Sequence, residues 1–390
     1  MPRMTRQRVL LLYAGCAALA LLVTVLSGIR HDYFPYLLQW KAGLASGDPW
    51  ISEYNGNYIP PNAYGPLHAL FAKLLIFGDF GPKITFTLIT LTCPALLLVS
   101  APKDAQQDRL QHLQTAILLL VCTPIVSITV FVFGINDGVV GFLVLAACVA
   151  RSRGWHATTG MIIGLAALLK FYPLLFAPFL AVGLRGKIRF RVLIFAAITF
   201  ALGMYAAYLY WGASVLNPLL FGSSRGAKHL SFLQFLDWSK DVLHIVDFTK
   251  MLIRINSYVV ILVTVAIAIW GWATRQTWDL VLLLGIMAIF VTYKVGHAQF
   301  YVSWIVVHTW VLLASPDARA VAVARAFVPV AVFLSLYQVA YLISGVTTGY
   351  YFEGTIWSLF RHLGSLVMLP LVFRSLWMCR HDLTSRRKRA

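Results

Sequence analysis

The chain predicts an all-α integral membrane protein, with about twelve transmembrane helices and one further short helix that is re-entrant or lies at the membrane interface. Three observations carry that expectation. Hydrophobic residues make up 60% of the 390 and charged residues 12%, whereas roughly a quarter of a soluble chain is charged. The mean hydropathy is +0.78. Apolar runs near the ~20 residues needed to cross the hydrocarbon recur from end to end. No composition shift marks a second domain, so a single polytopic domain is expected over 1–390.

The formal net charge of +18 is of a size found in nucleic-acid binders. Here the basic residues sit in short clusters between apolar runs, so they are read as topology signals and no nucleic-acid partner is expected. The segment through Arg8 is basic, and the apolar run after it reaches Ile29. That run exceeds a signal-peptide core of ~7–15 residues and reads as a retained first span. Cys16, Cys93, Cys122, Cys148 and Cys379 show neither metal-ligand nor disulfide-framework spacing.

In chain order the expected spans are 9–29, 83–101, 114–133, 136–150, 157–169, 172–184, 191–211, 256–273, 278–293, 301–315, 325–346 and 356–376. The run 67–77 is apolar but only ~16 Å long as a helix. If it does not cross, Arg151, Arg153, Arg185, Lys187, Arg189 and the basic run 386–389 all fall on the cytoplasmic side, as positive-inside bias requires. Both termini are then cytoplasmic. The other face collects a first loop over 30–82, a long loop over 212–255 and short loops near 134–137, 294–300 and 347–355. Nine carboxylates fall there: Asp32, Asp48, Glu53, Asp79, Asp137, Asp237, Asp241, Asp247 and Glu353. One helix over 157–184 would be ~42 Å long and would export Arg185. Two half-length helices, broken near Lys170 and Pro173, are therefore expected.

Several polar residues have two open readings. Asp32 follows the first span and either acts as a base or solvates a helix end. Lys170, inside an apolar run, either meets an anion or snorkels to the interface. His297 and Gln299 sit in a very short loop, as ligand contacts or as solvated side chains. Asn136 and Asp137 either hydrogen-bond a ligand or cap the following helix. Arg225 and Lys228 precede an amphipathic run, Leu230–Phe248, expected to lie on the membrane, and either reach a phosphate or touch lipid.

The order of motifs resembles the GT-C superfamily of glycosyltransferases. Asp32 is followed by Ala-Gly-Leu-Ala-Ser-Gly-Asp-Pro-Trp (42–50), then Asn-Tyr-Ile-Pro-Pro-Asn-Ala-Tyr-Gly-Pro-Leu (57–67). Gly-Ile-Asn-Asp-Gly (134–138) and Gly-Leu-Ala-Ala-Leu-Leu-Lys-Phe-Tyr-Pro-Leu-Leu (164–175) come later. This pattern is similar to the polyprenyl-phosphate-mannose-dependent mannosyltransferases and to the first mannosyltransferase of glycosylphosphatidylinositol assembly. The resemblance covers roughly Asp32 to Pro178. It departs in lacking a paired acid beside Asp32, which is flanked by His31 and Tyr33.

The resemblance implies inverting transfer of a hexosyl group, mannosyl above all, from a polyprenyl-phosphate donor to a glycan or glycolipid acceptor on the non-cytoplasmic face. Such a donor already carries a good leaving group, so one base and fixed positive charge suffice. Asp32 would be the base, and Lys170, His297 and Arg225 would hold the donor phosphate. Tyr58, Tyr64, Asn136, Asp137 and Gln299 would meet sugar or acceptor. No metal ligands are assigned and no cofactor is implied with certainty; a divalent metal is conceivable but not indicated. Membrane lipids are the remaining partners. A flippase for lipid-linked sugars and a polymerase or ligase using polyprenyl diphosphates stay as alternatives.

Overall fold

The computed structural model describes residues 5–100, 106–349, 351–352 and 355–384. Glu353 and the basic run 386–389, both used above to orient the chain, lie outside the described residues. The chain forms two compact units, one of Met1–Ala177 with Arg185–Ser224 and one of Pro178–Leu184 with Arg225–Ala390.

The first unit opens with α1 (Arg6–Leu26), whose first turn is capped by the Thr5 hydroxyl accepting from the Arg8 N–H. After a short turn comes α2 (Tyr33–Ser46), then a hairpin of β1 (Glu53–Tyr54) and β2 (Asn57–Tyr58). The run expected to stay short does so. It forms α3 (Pro66–Leu70) and a 3-10 turn over Phe71–Phe77. Next are α4 (Gly81–Leu91), α5 (Cys93–Ser100), α6 (Gln106–Leu120) and α7 (Pro124–Val126), the last continuing as a π-helical turn over Ser127–Val132. Then follow α8 (Asp137–Ser152) and α9 (His156–Leu169); α10 (Ala177–Leu180) falls almost wholly in the second unit, and α11 (Gly186–Trp211) and α12 (Asn217–Ser224) complete the first.

The expected break after α9 is present. Lys170 leaves the helix in an extended conformation (φ −143°, ψ 133°), and Pro173 sits in the first turn of a 3-10 helix over Tyr172–Phe176. An extended residue there lets the backbone of Lys170 bridge to Tyr64.

In the second unit, β3 (Lys228–His229) pairs in parallel with β4 (Val295–Gly296). Its other helices are α13 (Phe232–Ser239), α14 (Val246–Ala273), α15 (Trp278–Thr292), α16 (Tyr301–Ala314), α17 (Ala318–Ala326), α18 (Val328–Thr348), α19 (Thr355–Met378) and α20 (Arg380–Thr384).

Among the described residues six helical stretches are long and apolar enough to cross a membrane: Gln7–Leu26, Gly81–Leu98, Gly186–Gly222, Val246–Ala273, Val328–Thr348 and Ile356–Met378. A pair bent by 49°, Gln111–Leu120 with Pro124–Val132, makes a seventh. Other apolar runs fold as shorter helices. In α15 and α16 almost every side chain is buried. A helix of 15 residues is ~22 Å long, short of the ~30 Å core. Helices apolar on all sides are core elements inside a protein as readily as spans. The long helices instead show side chains outward: Leu202, Tyr205 and Leu209 on α11 and Ile261, Leu262 and Val265 on α14 are all exposed.

One expectation is corrected here. Leu230–Phe248 is not one amphipathic helix. Ser231 caps α13 by accepting from the Leu233 N–H, α13 ends at Ser239, and the chain turns before α14 begins at Val246. At the end of α13 the Ser239 hydroxyl donates to the Phe235 carbonyl, a side-chain bond of the kind that makes serine a weak helix former.

Candidate functional site

In the first unit Asp32 stands at the N-cap of α2, where its side chain makes no capping hydrogen bond and stays 38% exposed. His31 before it holds a left-handed backbone (φ 50°) and stacks on Phe133 with centroids 4.6 Å apart. Its Nδ1 lies 3.3 Å from Asp32 Oδ1. Burial holds the imidazole below its usual range while Asp32 pulls the other way, so this contact is a weak ion pair at best.

Deeper in the same unit is a fully buried ion pair. Lys170 Nζ lies 2.5 Å from Asp137 Oδ2, with side-chain exposures of 3% and 0%. Tyr172 Oη reaches Asp137 Oδ1 at 3.3 Å. The ammonium sits 4.8 Å above the Tyr64 ring, and Tyr36 donates to the Tyr64 hydroxyl at 2.6 Å. The backbone makes this possible. Gly65 N–H donates to the Leu169 carbonyl, and a Cβ on Gly65 would lie 2.3 Å from the Leu168 carbonyl oxygen. Only glycine lets the 64–65 segment approach the end of α9 so closely.

Asn136 does not cap α8 through its side chain; its amide Nδ2 lies 2.9 Å from His68 Nδ1, and both residues are completely buried. His68 Nε2 and Asn136 Oδ1 have no partner within the protein. His68 packs edge-on to Tyr36 and tilted against Trp40 and Tyr64. Asp32 is close enough for its charge to act on both Asp137 and Tyr36. Asp32, Tyr64, Asn136, Asp137 and Lys170 therefore converge on one neighbourhood. Tyr58 does not join it; it is 66% exposed on the hairpin.

The second unit gathers the other expected residues. Parallel pairing of β3 with β4 brings His229 against Gly296, where a Cβ would lie 2.3 Å from Ser231 N. His229, left-handed at φ 49°, sets its ring 4.5 Å from that of His297. Arg225 Nη2 lies 2.7 Å from His297 Nε2, so a guanidinium N–H donates to the imidazole. Buried Lys294 is adjacent, its ammonium pushed below the usual range by burial and then by the positive charge of Arg225. Gln299, His229 and His297 line a small polar pocket with Gln338 and Tyr341. Cations collect here, and such a cluster can bind an anion.

The residues missed by sequence reading are His68, Tyr36, Tyr172 and His229. Two of them left a signal: His68 is an imidazole inside the apolar run 67–77, and Tyr172 lies within the motif at 164–175. Among the described residues no three His, Cys, Asp or Glu side chains gather as a metal-ligand set.

The sequence profile of glycosyltransferase family 87 matches residues 62–296, which takes in His68, Asp137, Lys170, Arg225 and His229 and starts after Asp32. No curated protein matches the chain.

Proposed function

Because this chain belongs to glycosyltransferase family 87, we propose that it moves a hexosyl group, mannosyl in the first instance, from a polyprenyl phosphate to a glycan or glycolipid acceptor, with inversion. The observation that carries the choice of base is the contrast between two aspartates of one neighbourhood. Asp137 is sealed and held by Lys170, whereas Asp32 is part-exposed and its carboxylate caps nothing. In this reading Asp32 takes the acceptor hydroxyl proton, the acceptor oxygen attacks the anomeric carbon, and the bond to the donor phosphate breaks with its electron pair. His68 and Asn136 offer buried polar atoms that the protein itself leaves unused.

Phosphate binding is assigned to Arg225 and His297, supported by the collected charge around them. Lys170 is engaged by Asp137, so an anion there would compete with that carboxylate for the ammonium. Tyr64, Asp137 and Gln299 are read as organising or lining groups rather than reacting ones. The fold expectation of about twelve spans, cytoplasmic termini and a site on the non-cytoplasmic face belongs to the same proposal, supported by the positive-inside distribution. A divalent metal is not required by this chemistry.

The test is to incubate the purified protein with a panel of polyprenyl-phosphate hexoses and membrane glycolipids, and to look for a new glycosylated lipid. Formation of none, with a folded protein, overturns the reading. The side is tested separately, in a cysteine-free background. A cysteine at Ser224 should react with an impermeant thiol reagent in intact cells and one at Ser152 should not. Reaction at both sinks the orientation.

A further inference from the structure

We propose that Lys83 is a positioning residue for Asp32, its buried ammonium holding the turn that presents this carboxylate. The inference rests on the reading of Asp32 as the base and adds the group that keeps it in place.

Lys83 is the third residue of α4 and is completely buried. Its Nζ donates to Ser27 Oγ, to the Gly28 carbonyl and to the Val132 carbonyl, each at 2.8 Å. An ammonium has three protons to donate, so three acceptors use it fully and leave nothing for a phosphate. Among the described residues no carboxylate pairs with it. Its own helix does not account for the charge, because a cation in a first turn sits at the positive end of the helix dipole. What the charge meets is the opposite kind of helix end. Gly28 lies just past α1 and Val132 closes the π-helical turn, and at such C-termini backbone acceptors outnumber donors.

The groups that Lys83 holds bracket Asp32. Gly28 precedes it by four positions. Tyr33, directly after it, accepts at its hydroxyl from the Lys83 backbone N–H at 3.2 Å and donates to the Asp79 carbonyl at 2.6 Å. Gly28 and His31 are left-handed (φ 72° and 50°), so no helix runs through the turn to hold it. The Val132 end leads to the other aspartate. Phe133 stacks on His31, and a Cβ on Gly134 would lie 2.8 Å from Lys83 Cγ; Asn136 and Asp137 follow. One ammonium thus ties the Asp32 segment to the Asp137 segment. The helices themselves have a separate link, since the Thr24 and Thr87 hydroxyls of α1 and α4 meet at 2.8 Å. Loss of the ammonium should therefore loosen the turn and leave the helix pair joined.

The experiment uses the full chain in nanodiscs. Lys83→Met keeps the stem and removes the ammonium. In the transfer assay kcat should fall about 10–100-fold, as for a reacting group displaced by ~1 Å, with donor and acceptor KM within about threefold of wild type. In an Asp32→Asn background the same substitution should cost less than about threefold, because the group it positions is already gone. Hydrogen exchange supplies a readout that needs no transfer. The Tyr33 and Phe34 amides, bonded to the Arg30 and His31 carbonyls, should exchange at least about tenfold faster in Lys83→Met, with those of α9 unchanged. If Lys83→Met does not fold, the same measurements on Ser27→Ala decide, with a kcat loss of about 2–10-fold expected for one hydrogen bond. Unchanged kcat, faster exchange throughout the first unit, a KM rise at constant kcat, or a kcat loss undiminished by Asp32→Asn would each overturn the proposal. Wild-type protein that transfers no hexose overturns the transferase reading alone, since exchange at Tyr33 and Phe34 still decides whether Lys83 holds the turn.

Discussion

The two units treat positive charge in opposite ways. In the first, Lys170 is buried against Asp137 at 2.5 Å and further engaged by the Tyr64 ring, so its charge is balanced inside the protein. In the second, Arg225, His229, Lys294 and His297 are drawn together, and the Arg225 charge makes the Lys294 ammonium harder to keep. A balanced pair holds segments in place: here it ties the start of α8 to the end of α9. In the second unit, the Arg225 guanidinium stands near the Lys294 ammonium and donates to the His297 imidazole. The difference separates a residue that shapes a site from residues that hold a ligand, although all were equally plausible anion contacts by residue type.

The largest effect should come from the exposed carboxylate beside the sealed one. Asp32→Asn keeps size but accepts no proton, so turnover should fall about 10²–10⁴-fold in the transfer assay. The donor should bind at least as well as before. Activity within a few-fold of wild type would remove Asp32 from the chemistry and dissolve its contrast with Asp137.

Breaking the balanced pair comes next. Lys170→Met leaves Asp137 buried without its cation, and should destabilise the protein by about 3–5 kcal/mol. Thermal unfolding in nanodiscs measures this. Pairing it with Asp137→Leu should recover most of the loss, because no unmatched charge is then left behind. A stable Lys170→Met that has lost only donor affinity would return Lys170 to the ligand-holding class.

Arg225→Met should do the reverse, leaving stability near wild type and weakening donor binding by about 1.5–3 kcal/mol, as for a charge-assisted hydrogen bond. Binding of a short-chain polyprenyl phosphate, measured by calorimetry, checks it. If unfolding moves and binding does not, the second cluster is structural too. The smallest change is expected for Tyr36→Phe, which removes the hydroxyl donated to Tyr64 and should cost about 1 kcal/mol of stability. A loss of several kcal/mol there would mean that the Tyr36–Tyr64 bond, rather than the ion pair, keeps the 64–65 segment in place.

Much was legible in the residues themselves. Composition and run length determined a helical membrane protein, and the short run before Gly78 and the break at Lys170 followed from helix length and proline alone, because those are local constraints. Resemblance through motif order pointed to a glycosyltransferase, and the family match agrees at that level. The polar residues worth watching were visible too, since an ionisable group in an apolar run is costly wherever it lies. What the sequence alone left open was which of them meet. Asp137 and Lys170 are 33 positions apart, Asn136 and His68 are 68 apart, and Arg225 and His297 are 72 apart. Nor could hydropathy separate α15 and α16, sheathed by protein, from α11 and α14, which show their apolar side chains outward. Burial and pairing depend on how segments distant in sequence pack together, whereas periodicity and run length report only what each segment can do by itself.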